Sequence, residues 1–496
     1  MAKKMPIFYS ALMLTGVNLL LRFVSTSFQV FVSRKIGAAG VGLLQLVMSV
    51  GALAMTAGMA GIRTTTMYLT AEELGRKRPE NVTWILSGCF VYSIVCSGVI
   101  CLALHIFAPF LAEKWVGDVQ TIGAIRLYAS FIPIYCLCGV MTGYFTAANR
   151  IGTLAVVEIG EQAIYMVVTF TILTLWAGNS SQKACESIVF GSGISSAATL
   201  LTLIILRVRE NAKTGKPIPV RSRLLQAAVP LGLADNLKAG ISTTENLMVP
   251  KRLALYPNAE NPLAAFGMVC GMVFPILMFP AAILFALAEL LIPELARCAA
   301  AGSTVRTQYL AKRSLRVCMI YGFTFCALEF LVADELCIKL YNNPQAGTQL
   351  RLYALLIPIL YCDAITDAMI KGLGQQKICV RYNILTSTMD VVFLFFLLPK
   401  YGMMGYFFSF LVTHLLNFGL SLQRLLKIVG NVVQFHIPLL AALATVLSVW
   451  CAQHLQQPTL KIGAFLLIFG SLLVLFRVIK KEDITWITGL VHKKTT

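Results

Sequence analysis

Arg126-Leu127-Tyr128-Ala129 leading to Ile132-Pro133-Ile134 returns as Arg351-Leu352-Tyr353-Ala354 leading to Ile357-Pro358-Ile359. Both copies open a long apolar segment, so the chain reads as a duplicated block of membrane helices. In a bilayer such a duplication usually marks a transporter whose site lies where the copies face each other.

Working outward, Val32-Ser33-Arg34-Lys35-Ile36 at the end of the first apolar segment resembles Val249-Pro250-Lys251-Arg252-Leu253 at the end of the seventh. Each copy then holds six spans. An even number returns the chain to its starting side, so the copies run in parallel about an axis along the membrane normal. The expected fold is therefore an all-α integral membrane protein of about 14 transmembrane helices: two six-helix lobes around a central cavity plus two C-terminal helices. The boundaries read as 1–210 for the first lobe, 211–222 for a cytoplasmic linker, 223–430 for the second lobe and 431–496 for the extra helices and tail.

Composition agrees. With 58% hydrophobic and 13% charged residues the chain lies far from the soluble average, and its mean hydropathy is +0.78. A span needs about 20 apolar residues. The first has no small-residue cleavage site after a short apolar core, so it reads as a retained helix. Of the 41 Lys and Arg, roughly 28 fall on the cytoplasmic side if the N-terminus is inside, which puts both termini in the cytoplasm of a multi-pass cell-membrane protein. The net charge of +19 sits in short loops at span ends, among them Arg63 with Arg76-Lys77-Arg78. Anionic headgroups account for it better than nucleic acid, which is excluded as a partner.

Several activities drop out. The longest hydrophilic stretch, about Arg207 to Arg223, is too short for a soluble catalytic domain. Thr214-Gly215-Lys216-Pro217 lacks the first glycine and the hydroxyl of a phosphate-binding loop. The five histidines are scattered and the 14 cysteines lie mostly in apolar spans, as small hydrophobes do. The chain does not read as an enzyme, and no cofactor or metal is expected beyond a proton or sodium ion for coupling.

Charges at bilayer depth cost several kcal/mol by most measures, so each needs a partner, a wet cavity or a task. Asn18 and Arg22 share a face of the first span; Asp235 and Lys238, with Asn236 between them, share a face of the seventh. In the repeat alignment Asn18 falls opposite Asp235 and Arg22 one position from Lys238. One reading is a cationic cavity for an anionic substrate; the other is an Asp235–Lys238 ion pair that merely locks a helix. Glu158 with Glu161 and Asp363 with Asp367 form a second set, joined by Glu245, Glu289 and Asp390. Glu158, Glu161, Asp363 and Asp390 are the candidates for proton or sodium coupling, against a structural role as partners of the basic residues. Prolines 133, 230, 275, 280 and 358 free carbonyls within spans and are candidate bends.

Phe31 to Leu46, Ala60-Gly61-Ile62 with Leu69-Thr70-Ala71-Glu72-Glu73-Leu74, Met248 to Leu253, and Phe279-Pro280-Ala281 running on to Pro293-Glu294 together resemble the polysaccharide-export branch of the multidrug/oligosaccharidyl-lipid/polysaccharide (MOP) exporter superfamily, most of all its stage V sporulation protein B group. The resemblance covers nearly the whole chain. It implies two lobes in a V and a final helix pair that often lines a lipid groove. It also implies a flippase for an undecaprenyl-diphosphate-linked saccharide, with lipid II as the expected cargo and cell-wall synthesis proteins as expected partners. Arg22 matches a basic first-span position that related lipid II flippases use. A second arginine of that pattern falls on Phe28.

Substrate physics points the same way. About two negative charges moving outward across 100 mV, inside negative, gain roughly 4–5 kcal/mol. A cationic drug would climb the same potential. The alternatives are a cation-coupled multidrug exporter and a non-transporting membrane scaffold for cell-wall or spore assembly. An integral glycosyltransferase is weaker still, for want of a large loop bearing carboxylates.

Overall fold

The computed structural model describes residues 7–176, 178, 180–210, 220–431 and 436–478, without the side chains of 7–15, 17, 18, 151 and 290. Most of the expected linker, 211–222, therefore lies outside the described residues, as do the chain ends.

The described chain is helical: α1 (Ile7–Met59), α2 (Ile62–Gly75), α3 (Val82–Phe110), α4 (Ile122–Ala147), α5 (Ile151–Leu175), α6 (Ser181–Val208), α7 (Arg221–Leu253), α8 (Pro262–Met268), α9 (Phe274–Leu277), α10 (Ala281–Ala300), α11 (Thr304–Tyr341), α12 (Pro344–Ala354), α13 (Ile357–Gly372), α14 (Gln376–Tyr401), α15 (Met403–Val429), α16 (His436–Ala452) and α17 (Pro458–Leu475). It is a multi-pass membrane protein.

The expected count of fourteen spans is not confirmed. Among the described residues nine helices are long and apolar enough to cross a membrane, or up to eleven if each of two bent pairs is one span. Three elements explain the difference. The 53 residues of α1 would run about 80 Å as a straight helix, far beyond a bilayer core, and Gly37 at φ 72° and ψ 173° interrupts it where a turn between two spans was expected. The polar residues of α7 leave it less apolar than those nine, and α16 has only 17 residues.

The related prolines behave differently. Pro133 sits inside an unbroken α4, whereas Pro358 stands in the first turn of α13, just past a 55° bend between α12 and α13. At a first turn the missing N–H costs nothing; inside α4 the surrounding packing carries the loss. A second bend, 63°, separates the α8–α9 stretch from α10. There the Tyr361 hydroxyl donates to the Leu277 carbonyl at 2.9 Å and Tyr321 to the Pro280 carbonyl at 2.7 Å, capturing acceptors that the break frees.

By contact the chain divides into two compact units: residues 1–271 with 390–406, and residues 272–389 with 407–496. Within the first, α7 packs along α1 and α2. Its core gathers Ile62 of α2, Ile85 and Cys89 of α3, Phe145 of α4, Leu203 of α6, and Leu224 and Ala228 of α7. Within the second, α11 is the central strut, contacting α10, α12, α13, α16 and α17. Ala327 and Leu331 of α11 join Ile437, Ala441, Ala444, Phe465 and Phe469 in one apolar cluster.

Candidate functional site

The end of α1 and the start of α2 are separated by a tight reversal. Ala60 takes φ 42° and Gly61 φ 74°, the left-handed region that glycine enters at little cost. Gly61 faces Gly232 of α7: a Cβ on Gly61 would lie 2.6 Å from the Ala228 carbonyl oxygen, and one on Gly232 would lie 2.7 Å from the Ala60 carbonyl carbon. Two glycines thus let the reversal touch the α7 backbone.

Beside this crossing lies a cavity of about 360 Å³, lined by Thr56 and Met59 of α1, Gly61 to Thr64, and Asp235, Lys238 and Ser242 of α7. The reversal aims Arg63 into the same space as Lys238. Both side chains are exposed. Among the described residues neither Arg63, Lys238 nor Asp235 makes a hydrogen bond or ion pair, so the Asp235–Lys238 lock is not formed. Two basic groups and one carboxylate therefore face one solvent-accessible hollow. Asn236 does not join them; its amide donates to the Gly232 carbonyl at 2.8 Å and is spent within its own helix.

Arg22 lies on an exposed part of α1 and does not line this cavity. The side chain of Asn18 lies outside the described residues. Arg63, which the sequence reading placed among cytoplasmic loop charges, is the basic residue that stands with Lys238. The signal was present in Ala60-Gly61, a helix break just before the arginine.

The acidic candidates fall into three groups. Glu158, half-buried on α5, lies within electrostatic reach of Arg63 and Glu161, and Glu161 accepts a hydrogen bond from the Ser196 hydroxyl at 2.7 Å. Glu245 of α7 and Asp390 of α14 share a hydrogen bond, Asp390 being buried. Two adjacent carboxyls favour holding one proton between them, because two like charges at contact repel. Glu289 is exposed.

The third group is built on α13, α14 and α15. Asp363 is 6% exposed, meets His414 Nδ1 at 3.0 Å and accepts from Asn417 Nδ2 at 2.8 Å. One turn on, Asp367 accepts from Asn383 at 3.0 Å and from Ser421 at 2.9 Å. Arg424 then donates to Gln375 at 2.6 Å. The α15 members, 414, 417, 421 and 424, advance by three and four residues and so form a single face. His414 was read as one of five scattered histidines; the helical spacing of its polar companions was the missed signal.

Residues 14–176 match the MatE family. That stretch is a MatE family domain. The chain is 22% identical over 416 residues to stage V sporulation protein B of Bacillus subtilis (strain 168), covering 79% of this chain and 78% of the relative. The fold is similar to that of lipid II flippase MurJ in an inward closed conformation, with TM-score 0.68 and 11% identity over 94% of this chain and 99% of that one. It is equally similar to a multidrug resistance MATE family transporter of the MOP superfamily, with TM-score 0.68 and 13% identity over 84% and 98%. The match over the first third of the chain and the likeness to both structures give one result: the described helices adopt the fold that these two proteins share.

Proposed function

We propose that the chain is a membrane transporter of the MOP superfamily and, within it, a flippase that carries an undecaprenyl-diphosphate-linked saccharide, lipid II above all, from the inner to the outer leaflet by alternating access. The observation that carries the reading is Arg63 and Lys238 facing one cavity with no ion-pair partner among the described residues. A diphosphate supplies the missing counter-charge, since charge-assisted hydrogen bonds from Arg and Lys are the strongest that phosphate oxygens accept. Asp235 in the same wall leaves a formal excess of one positive charge (two basic groups less one carboxylate), suited to an anion that arrives and leaves. Arg22, on the same lobe, would guide the headgroup toward or away from that cavity. The relatives named for sporulation and for lipid II are in keeping with this cargo. Both termini would face the cytoplasm, and cell-wall synthesis proteins would receive the product.

A cation-coupled exporter is the second reading, favoured by the Asp363–His414–Asn417 and Glu245–Asp390 groups. These can also serve the flippase, taking a proton or sodium ion that resets the empty carrier.

Proteoliposomes with fluorescent lipid II on one leaflet test the choice. Translocation by the wild type, lost in an Arg63→Ala, Lys238→Ala double variant of normal fold, is expected. No translocation of lipid II or of another lipid-linked saccharide, together with export of cationic dyes, would establish the second reading, and movement of neither a scaffold.

A further inference from the structure

Glu329 lies in the apolar stretch of α11 and is 5% exposed. Both its carboxyl oxygens are buried, and neither has a hydrogen-bond partner among the described residues. Among the described residues no basic side chain offsets its charge. The charged groups farther along α11 are engaged elsewhere, Asp334 with Arg351 of α12 and Glu335 with Lys461 of α17. The titratable groups in electrostatic reach are Tyr321, Cys326 and Cys337 of α11 itself and Tyr361 of α13. From α16 and α17, residues such as Ala441, Ala444 and Phe465 pack around the neighbouring Ala327 and Leu331.

A buried carboxyl kept for structure would be hydrogen-bonded, as buried polar groups nearly always are. An ionised carboxylate with no partner in a dry interior is so costly that it takes up a proton instead. A sodium ion would need several oxygen ligands around it, yet the Tyr321 and Tyr361 hydroxyls already donate to the carbonyls of the broken helix. A proton needs no further ligand. We infer that Glu329 is a proton-binding site: its carboxyl is a neutral acid in this conformation, and it exchanges that proton only when α11 moves enough to admit water. It adds to the flippase reading a pH-sensitive group on a helix that does not line the cavity of Arg63 and Lys238.

Infrared difference spectra of the full-length protein in liposomes test it, comparing wild type with Glu329→Gln in H2O and D2O. The expected result at neutral pH is a carboxylic-acid C=O band that shifts in D2O and is missing from the variant. Glu329→Asp, which keeps the acid on a shorter arm, should retain the band at a shifted frequency. Thermal stability gives an independent readout: raising the pH from neutral should lower the wild-type melting temperature more than that of Glu329→Gln. Spectra without a difference band, or parallel pH profiles, overturn the site. None of these readouts uses a lipid substrate, so failure of lipid II translocation would count against the flippase and leave the proton site standing.

Discussion

Lys238 of α7 and Arg63 of α2 line one cavity beside the Gly61–Gly232 crossing, and among the described residues neither is ion-paired. If they hold a diphosphate, each contributes a charge-assisted contact of about 1.5–3 kcal/mol, or roughly 10- to 100-fold in affinity. Arg63→Ala and Lys238→Ala should each weaken binding of a lipid diphosphate to the purified protein by that factor. Because the two act on one anion, the double variant should lose less than the product. Binding unchanged in both single variants would remove the cavity from the mechanism.

Asp235 shares the wall with both cations, so its charge opposes an anionic cargo. Asp235→Asn should tighten diphosphate binding by roughly threefold to tenfold, a modest gain because the site is open to water and its charges are screened. Slower release would then lower the turnover rate. Measuring affinity and translocation rate on one preparation separates the two effects. A weaker affinity would mean that Asp235 positions Lys238 instead of opposing the cargo.

The Gly61–Gly232 crossing predicts a stability effect distinct from binding. Gly61→Ala forces a side chain into φ 74° and within 2.6 Å of a carbonyl oxygen. The left-handed conformation costs about 1–2 kcal/mol and overpacking typically another 1–3 kcal/mol. Gly232→Ala meets only the second penalty. Thermal unfolding in detergent should therefore rank wild type above Gly232→Ala and Gly232→Ala above Gly61→Ala; the reverse order would mean that the reversal can shift away from α7.

Much of the fold was legible because membrane helices announce themselves by length and apolarity, and the doubled Tyr128-Ala129 and Tyr353-Ala354 are buried alike in the two units. The site was harder to see. Arg22 and Lys238 were paired through a repeat alignment, which tracks ancestry, whereas the cavity is shaped by a two-residue reversal at Ala60-Gly61 that turns Arg63 inward. Asp363 was picked out as an expensive charge, but its partners His414 and Asn417 lie about 50 residues away, and only the packing of α13 on α15 brings them together.

Arg223 at the start of α7 grips both acids that follow Ala71 in the sequence: Nη2 meets Glu72 at 2.8 Å and Nη1 meets Glu73 at 2.9 Å. Glu73 is 1% exposed and also accepts from Asn81 at 2.8 Å. Removing one partner of a buried pair strands the other charge, at a cost of about 3–5 kcal/mol. Arg223→Ala leaves Glu73 with Asn81 and a 4.0 Å contact to Arg76, and Arg223 is itself partly exposed, so its loss in unfolding experiments should lie at the low end of that range. Glu72, more exposed and also paired with Arg76, should cost about 1 kcal/mol or less when changed to Gln. Equal effects of the two substitutions would show that the grip on Glu73 carries no special weight.

The polar face of α15 separates ion coupling from a merely structural network. Asp363 holds His414 and Asn417, while Asp367 holds Ser421 and Asn383. A structural network tolerates a neutral amide that keeps some hydrogen bonds, whereas a coupling site needs the charge. Asp363→Asn should thus unfold within a few degrees of wild type yet abolish stimulation of transport by a proton or sodium gradient. His414→Gln, which keeps a donor toward Asp363, should retain stimulation by sodium and lose stimulation by protons if the imidazole relays them. If transport in Asp363→Asn still answers to both gradients, Asp363 is a structural acid and coupling falls to Glu245 and Asp390, whose shared hydrogen bond leaves them the next pair able to hold one positive charge.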